Sequence, residues 1–302
     1  MQTLIKNLDQ LVEAAIKGKT KTLVVAAAED KYVLNAIAKA REAGLIHPIF
    51  IGDKEKIKEI ALETGVGISD QDIIHANSES EACMRAVKMI AEGKADLLMK
   101  GLVPTGTLLK HVVSKEYGLL SGKLLSHLAL FESPYYHKIL GLTDAAMNIA
   151  PTLEEKAAIL ENAISAFHAL GYEQPKVAIL AAVEKVNPKM PATTEAAILK
   201  TMAERNQLGS CQADGPMALD NAISKEAAEH KEIFSPVAGD ADLLLAPDLN
   251  SGNILYKALS FLGNARCAAI IVGSKSPIVL TSRADTEETK FLSIALAVLT
   301  SK

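Results

Sequence analysis

Short, uninterrupted apolar runs recur along this chain, each followed by a longer stretch with helical spacing, and that rhythm leaves few folds open. The runs are KTLVVAAA (21–28), HPIFIGD (47–53), DIIHAN (72–77) and ADLLMKG (95–101), then HKILGLTD (137–144), KVAILAA (176–182), ADLLLAPD (241–248) and CAAIIVGS (267–274). Unbroken rather than alternating hydrophobicity is the mark of strands covered on both faces, as in a parallel sheet. Amphipathic segments lie between them, Asp30 to Gly44 and Glu79 to Gly93 among them. The clearest covers 152–171, where Thr152 and Glu155 have capping-box spacing and Gly171 can end the helix. Strands alternating with helices predict an α/β fold.

A chain of 302 residues suits two domains or one large one. Residues 118–138 are less regular and read as a strand pair or a crossover between domains. A boundary at 133 follows, giving a first α/β domain over 1–133, which 278–302 can complete, and a second over 134–277. A final helix is expected from Thr286 to Leu299. With 49% hydrophobic and 23% charged residues the core is sizeable, and a net charge of -4 argues against non-specific nucleic-acid binding. Cys83, Cys211 and Cys267 are far apart, form no CxxC pair and read as small buried hydrophobes in a reducing compartment. The N-terminal segment mixes apolar and charged residues, and no later run has the length that spans a bilayer. The expectation is a soluble cytoplasmic protein with neither a nucleic-acid nor a membrane partner.

In open parallel sheets ligands collect at the carboxyl ends of strands. The residues there are Lys100-Gly101, Thr143-Asp144, Glu184-Lys185, Pro247-Asp248, Gly273-Ser274 and, after PIVL, Thr281-Ser282-Arg283. Two of these ends are cationic, which suggests an anionic ligand. Standard signatures fail: Gly18-Lys19-Thr20 has no upstream glycine at P-loop spacing, Gly65-Val66-Gly67 lacks a third glycine, and there is no HExxH, GxSxG or SxxK.

Longer motifs carry more. DGPMALDNAI (214–223), then SPVAGDADLLLAPDLNSGNILYK (235–257), resembles the phosphate acetyl/butyryltransferase family. ADLLMKG (95–101), LTDAAMNIAPT (142–152), KVAIL (176–180) and PIVLTSRA (277–284) match in the same order. Lys100-Gly101, Lys110, AAVEKVNPK (181–189) and LTSRA depart from acetyltransferase members and resemble the butyryl branch.

The resemblance implies two α/β domains with a cleft between them, an isocitrate/isopropylmalate dehydrogenase-like architecture, and a homo-oligomer. It implies transfer of a short acyl group, butyryl favoured, between coenzyme A and inorganic phosphate. Acetyl transfer, an NAD(P)-linked oxidoreductase on the related fold and a non-enzymatic acyl-CoA-binding regulator are the alternatives. Coenzyme A is then substrate and product, with no permanently bound cofactor and no metal. By the same resemblance Ser282 and Arg283 form the family's Ser-Arg pair, with Arg283 holding the phosphate or the developing oxyanion and Ser282 orienting the thiol or carbonyl. Acetyltransferases carry an acidic base where ungapped alignment places Thr289; Asp285, Glu287 and Glu288 are close by, and Glu288 is taken as the base. Lys100, with Gly101 allowing close approach, and Lys110 are candidates for phosphate groups, Lys110 reading equally as an exposed helix lysine. Thr105 and Thr107 can donate to phosphate or cap a helix. Asp144, Asn148 and Asn253 fall within matched motifs and are expected to shape the binding site, while His127 and His137 read as structural.

Overall fold

The computed structural model describes residues 4–122, 124–282 and 285–301. The elements run α1 (Leu8–Ile16), β1 (Lys21–Ala26), α2 (Lys31–Glu42), β2 (Ile46–Gly52), α3 (Lys54–Thr64), β3 (Ile73–His75), α4 (Glu79–Ala91), β4 (Leu97–Lys100) and α5 (Thr105–Val112). Then come β5 (Ser126–Glu132), β6 (Leu140–Thr143), α6 (Leu153–Ala169), β7 (Lys176–Leu180), α7 (Pro191–Glu204), β8 (Gln212–Met217), α8 (Leu219–Ile223), α9 (Lys225–His230), β9 (Leu243–Leu245) and α10 (Leu249–Lys257). β10 (Arg266–Val272), β11 (Ile278–Val279) and α11 (Glu287–Thr300) complete the chain. No helix of the described residues is long and apolar enough to cross a membrane.

Two compact units emerge. One, here the N-terminal unit, joins Asp9–Ser121 to Ala268–Lys302; the other, the central unit, joins Met1–Leu8 to Gly122–Cys267. A cut at 133 would fall between β5 and β6, which pair antiparallel through Ala129 and Leu142, so the contacts keep both strands in the central unit.

In the N-terminal unit the strand order is β3-β2-β1-β4-β11-β10. β1 runs parallel to β2 and β4, and β4 parallel to β11. Leu23 to Ala26 and Leu97 to Met99 are buried, as unbroken apolar runs require when both faces are covered. Side-chain caps start the flanking helices: Asp30 accepts from Tyr32 and Val33 N–H groups, Asp53 from Glu55 and Lys56, and Ser78 from Glu81. The chain leaves β1 toward β2 on one side and returns from β3 to β4 on the other. The carboxyl ends of β1 and β4 therefore form a topological switch point, where such sheets bind ligands.

The central unit is ordered β5-β6-β9-β7-β8, parallel apart from the β5–β6 pair. Its longest helix, α6, carries the full capping box of Thr152 and Glu155 and stops before Gly171. Charge pairs gather at the amino ends of its strands. Lys138 lies 2.8 Å from Asp240 and 2.7 Å from Asp242, His137 lies 2.8 Å from Asp240, and Lys176 also bonds Asp240. Asp242 in turn accepts the Lys176 N–H at 2.7 Å. Burial would push the Asp240 carboxyl up, but the bonds from Lys138, Lys176 and His137 outweigh it and hold the group well below the usual carboxylate range.

A carboxyl held below its unfolded-state value adds stability that is present above about pH 4 and is lost as pH falls through its folded value. Asp240→Asn is therefore expected to cost about 1 kcal/mol at pH 7, as fits a partly exposed network. Its deficit against the parent should shrink below about pH 4. Urea unfolding at a series of pH values checks this; equal deficits at pH 3 and pH 7 would remove the network's role.

Candidate active site

The switch point of the N-terminal unit is built by two backbones in close contact. Gly101 N–H donates to Ala26 O at 2.8 Å and Leu102 N–H to Ala27 O at 2.6 Å. Ala27 adopts a left-handed conformation, φ 57°, which turns its carbonyl onto the loop after β4. A Cβ at Gly101 would lie 1.9 Å from that oxygen, so only glycine permits the approach. Lys100, 6% exposed, directs its ammonium inward, donating to Gly101 O at 3.1 Å and Val103 O at 3.2 Å. α5 follows at once. No side chain caps it; Thr107 N–H bonds Pro104 O at 3.0 Å, and Thr105 and Lys110 are exposed.

β11 lies beside β4 in register Ile278 to Leu98 and Val279 to Met99. Thr281 and Ser282 consequently leave the sheet at the same edge as Lys100 and Gly101. Ser282 N–H donates to Asp285 Oδ2 at 2.6 Å, and Ser282 O accepts from Asp285 N–H at 3.2 Å. α11 then begins with Thr286 as its cap, receiving the Thr289 N–H. Glu288 stands exposed in the first turn, Glu287 bonds Asn35 Nδ2 at 2.7 Å, and Thr289 is joined to Thr286 through their hydroxyls. Arg283 lies outside the described residues.

In the central unit Asp144 closes β6 and is 3% exposed. Its Oδ1 accepts from Ala146 and Met147 N–H groups at 2.8 and 3.0 Å, and its Oδ2 accepts from Asn148 Nδ2 at 2.6 Å. Asn148 also donates to Leu125 O at 3.0 Å. Asn253 Nδ2 donates to Ala145 O at 3.0 Å, and a Cβ on Gly252 would meet Asp144 O at 2.3 Å. Asp144, Asn148 and Asn253 thus stitch the loop after β6 to α10 and make one rigid wall. α10 begins at Leu249, with Asp248 capping it by accepting the Ser251 N–H at 2.9 Å.

Sequence did not single out Lys290, and it read His127 as structural. Lys290, one turn into α11, is 3% exposed and donates to Ser282 O at 3.2 Å and Asp285 O at 2.8 Å. The sequence signal was a lysine on the apolar stripe with Ile294 and Ala297, at helical spacing. His127 is buried with Nδ1 lacking a hydrogen-bond partner, its ring edge-on to Tyr256 at 5.7 Å. Burial pushes its imidazole pKa down, against the pull of the Asp144 carboxylate.

Because its Cβ would enter the Ala27 carbonyl, Gly101→Ala is expected to force the two loops apart and cost about 1–3 kcal/mol. Gly106→Ala, with open space at its Cβ, should stay within about 0.5 kcal/mol of the parent or gain slightly. Paired urea denaturation curves make the comparison, and equal midpoints would show that the contact does not hold the loop.

The family model described as "Phosphate acetyl/butaryl transferase" matches residues 7–83 and 76–298. The chain is 44% identical to "Phosphate butyryltransferase" of Clostridium acetobutylicum, over 98% of each sequence. It is 46% identical to "Phosphate acetyltransferase" of Thermotoga maritima, over 97% of this chain and 99% of that one. A branched-chain phosphotransacylase from Enterococcus faecalis superposes with TM-score 0.81 at 36% identity, covering 93% of this chain and 99% of the other. At 12% identity and TM-score 0.53, a 4-hydroxythreonine-4-phosphate dehydrogenase from Burkholderia phymatum shares the fold, over 94% of this chain and 99% of its own. With the family model and near-full-length identity in agreement, the chain belongs to the phosphate acetyl/butyryltransferase family.

Proposed function

We propose that this chain transfers a short acyl group between coenzyme A and inorganic phosphate: acyl-CoA + phosphate gives acyl phosphate + CoA, with butyryl preferred. The observation that carries the reaction is the 44% identity over 98% of both sequences to a phosphate butyryltransferase. The acyl preference has a different basis, because a phosphate acetyltransferase is 46% identical. It rests on Lys100-Gly101, AAVEKVNPK and LTSRA, where the chain departs from acetyltransferase members. Each methylene in an apolar pocket contributes only about 1–3 kcal/mol of discrimination, so neighbouring chain lengths should also react.

In the forward direction a phosphate oxygen attacks the thioester carbonyl carbon, the C–O bond forms, and the C–S bond breaks to release the thiolate. In reverse the CoA thiol must lose its proton before attack, and a thiol such as that of cysteine holds its proton up to a pKa of about 8.5. Arg283 is assigned to the phosphate or the developing oxyanion, which need preorganised donors, and Ser282, at the edge where β11 and β4 end, to orienting the thiol or the carbonyl. Glu288, exposed in the first turn of α11, is assigned as the base for the thiol. Lys100 and Gly101 shape the adjoining strand end, and Thr105, Thr107 and Lys110 on α5 are assigned to phosphate groups of the substrates. Asp144, Asn148 and Asn253, in the central unit, are assigned to substrate binding. Coenzyme A acts as substrate and product rather than as a resident cofactor, and the protein is read as a cytoplasmic homo-oligomer.

Free thiol release from acyl-CoAs of two to six carbons, with and without inorganic phosphate, tests the reaction. Phosphate-dependent release should peak at butyryl-CoA. A peak at acetyl-CoA would overturn the branch, and no phosphate-dependent release would overturn the reaction. With the best substrate, Ser282→Ala and Arg283→Ala should each lower kcat by about 10²-fold or more. Full turnover in either variant would remove that residue from the site.

A further inference from the structure

The lysine of α11 has no place in the reaction just described, and its burial is costly. A desolvated ammonium loses its hydration, and a cation in the first turns of a helix faces the positive end of the dipole. Burial pushes the Lys290 pKa down, against the pull of Asp285, Asp30 and Glu287, and burial pushes the Asp285 carboxyl up against the Ser282 N–H and Lys290. An apolar side chain of similar length would fill the same space at less cost to folding.

Geometry shows where the ammonium is spent. It donates to Ser282 O at 3.2 Å and to Asp285 O at 2.8 Å. Asp285 takes the other half of the same residue, its carboxylate accepting the Ser282 N–H at 2.6 Å. The backbone of Ser282 is therefore gripped at both its amide and its carbonyl, and Lys290 ties that grip to the buried face of α11. The helix is itself anchored in the N-terminal unit, with Phe291 and Ile294 buried and Ser293 Oγ accepting from Ala269 N–H of β10 at 2.9 Å.

We propose that Lys290 is a positioning residue for acyl transfer: with Asp285 it clasps the Ser282 backbone and fixes Ser282 against the reacting groups. This rests on the assignment of Ser282 to the site. The test is Lys290→Met, which keeps length and apolar packing while removing the donors, measured alone and on a Ser282→Ala background. Alone it is expected to lower kcat by about 10- to 100-fold, the range seen when the support behind a reacting group is removed. The KM values for phosphate and acyl-CoA should move much less, and the thermal midpoint should hold or rise. On the Ser282→Ala background the same change should cost less than about threefold, because residues acting through one another are not additive.

Full kcat in Lys290→Met, an equal cost on both backgrounds, or a Lys290→Met protein that does not fold would each overturn the proposal. Ser282→Ala with full turnover would instead overturn the site assignment on which it rests, and the two failures are told apart by that single variant.

Discussion

The position of β4, hydrogen-bonded in parallel to β1 on one side and β11 on the other, constrains everything nearby. A strand flanked on both sides and covered on both faces offers no side chain to solvent along its length. Polar groups can only be delivered where it ends. Parallel neighbours end at the same edge, so the loop after β4 and the segment after β11 must meet there, whatever their sequences. Lys100, Gly101, Thr281 and Ser282 are brought to one line by backbone pairing before any of their own contacts form.

Charge is distributed to match. At the amino ends of the central unit's strands, Lys138, Lys176 and His137 surround Asp240, and Lys138 also pairs with Asp242; these pairs cancel locally and tie β6, β7 and β9 together. At the carboxyl ends of β4 and β11 the buried Lys100 and Lys290 donate to backbone carbonyls. Salt bridges at one end serve the fold. Carbonyl-solvated cations at the other end fix loops.

The eight apolar runs all hold strands, because strands buried on both faces leave an unbroken signal, and the helix over 152–171 was legible from its cap residues down to its Gly171 terminus. β8 was not legible. Gln212 to Met217 contains Gly215-Pro216, and as the last strand of its sheet it is only half covered, so neither periodicity nor composition marks it. β5 lay in the stretch read as a strand pair or crossover; it pairs antiparallel with β6. The strand-end rule found Lys100, Asp144 and Ser282, since it depends only on where strands stop. It could not tell which way the side chains turn. Lys100 turns inward onto the Gly101 and Val103 carbonyls, in a loop held by the approach of Gly101 to the Ala27 carbonyl, a tertiary contact between residues far apart in sequence. Lys290 escaped because a single lysine on an apolar stripe looks like an interruption of the helix pattern rather than a partner for the Ser282 and Asp285 carbonyls.

Holding a loop by its backbone differs physically from holding it by its side chains. A side chain that anchors a loop has its donors and acceptors committed, whereas a clasp on the amide and carbonyl sets where a residue sits and which way its Cα–Cβ bond points. Ser282 is clasped at N–H and O by Asp285 and Lys290; the loop after β4 is held through Gly101 and Val103 carbonyls by Lys100, and through its N–H groups by Ala26 and Ala27. Donors that stabilise a developing charge are effective when they need no reorganisation as the charge forms. Two neighbouring strand ends are each fixed through the main chain and each backed by a buried ammonium. The desolvation of two lysines is the cost of that rigidity, and it falls where the strands end rather than in the part of the sheet that only has to fold.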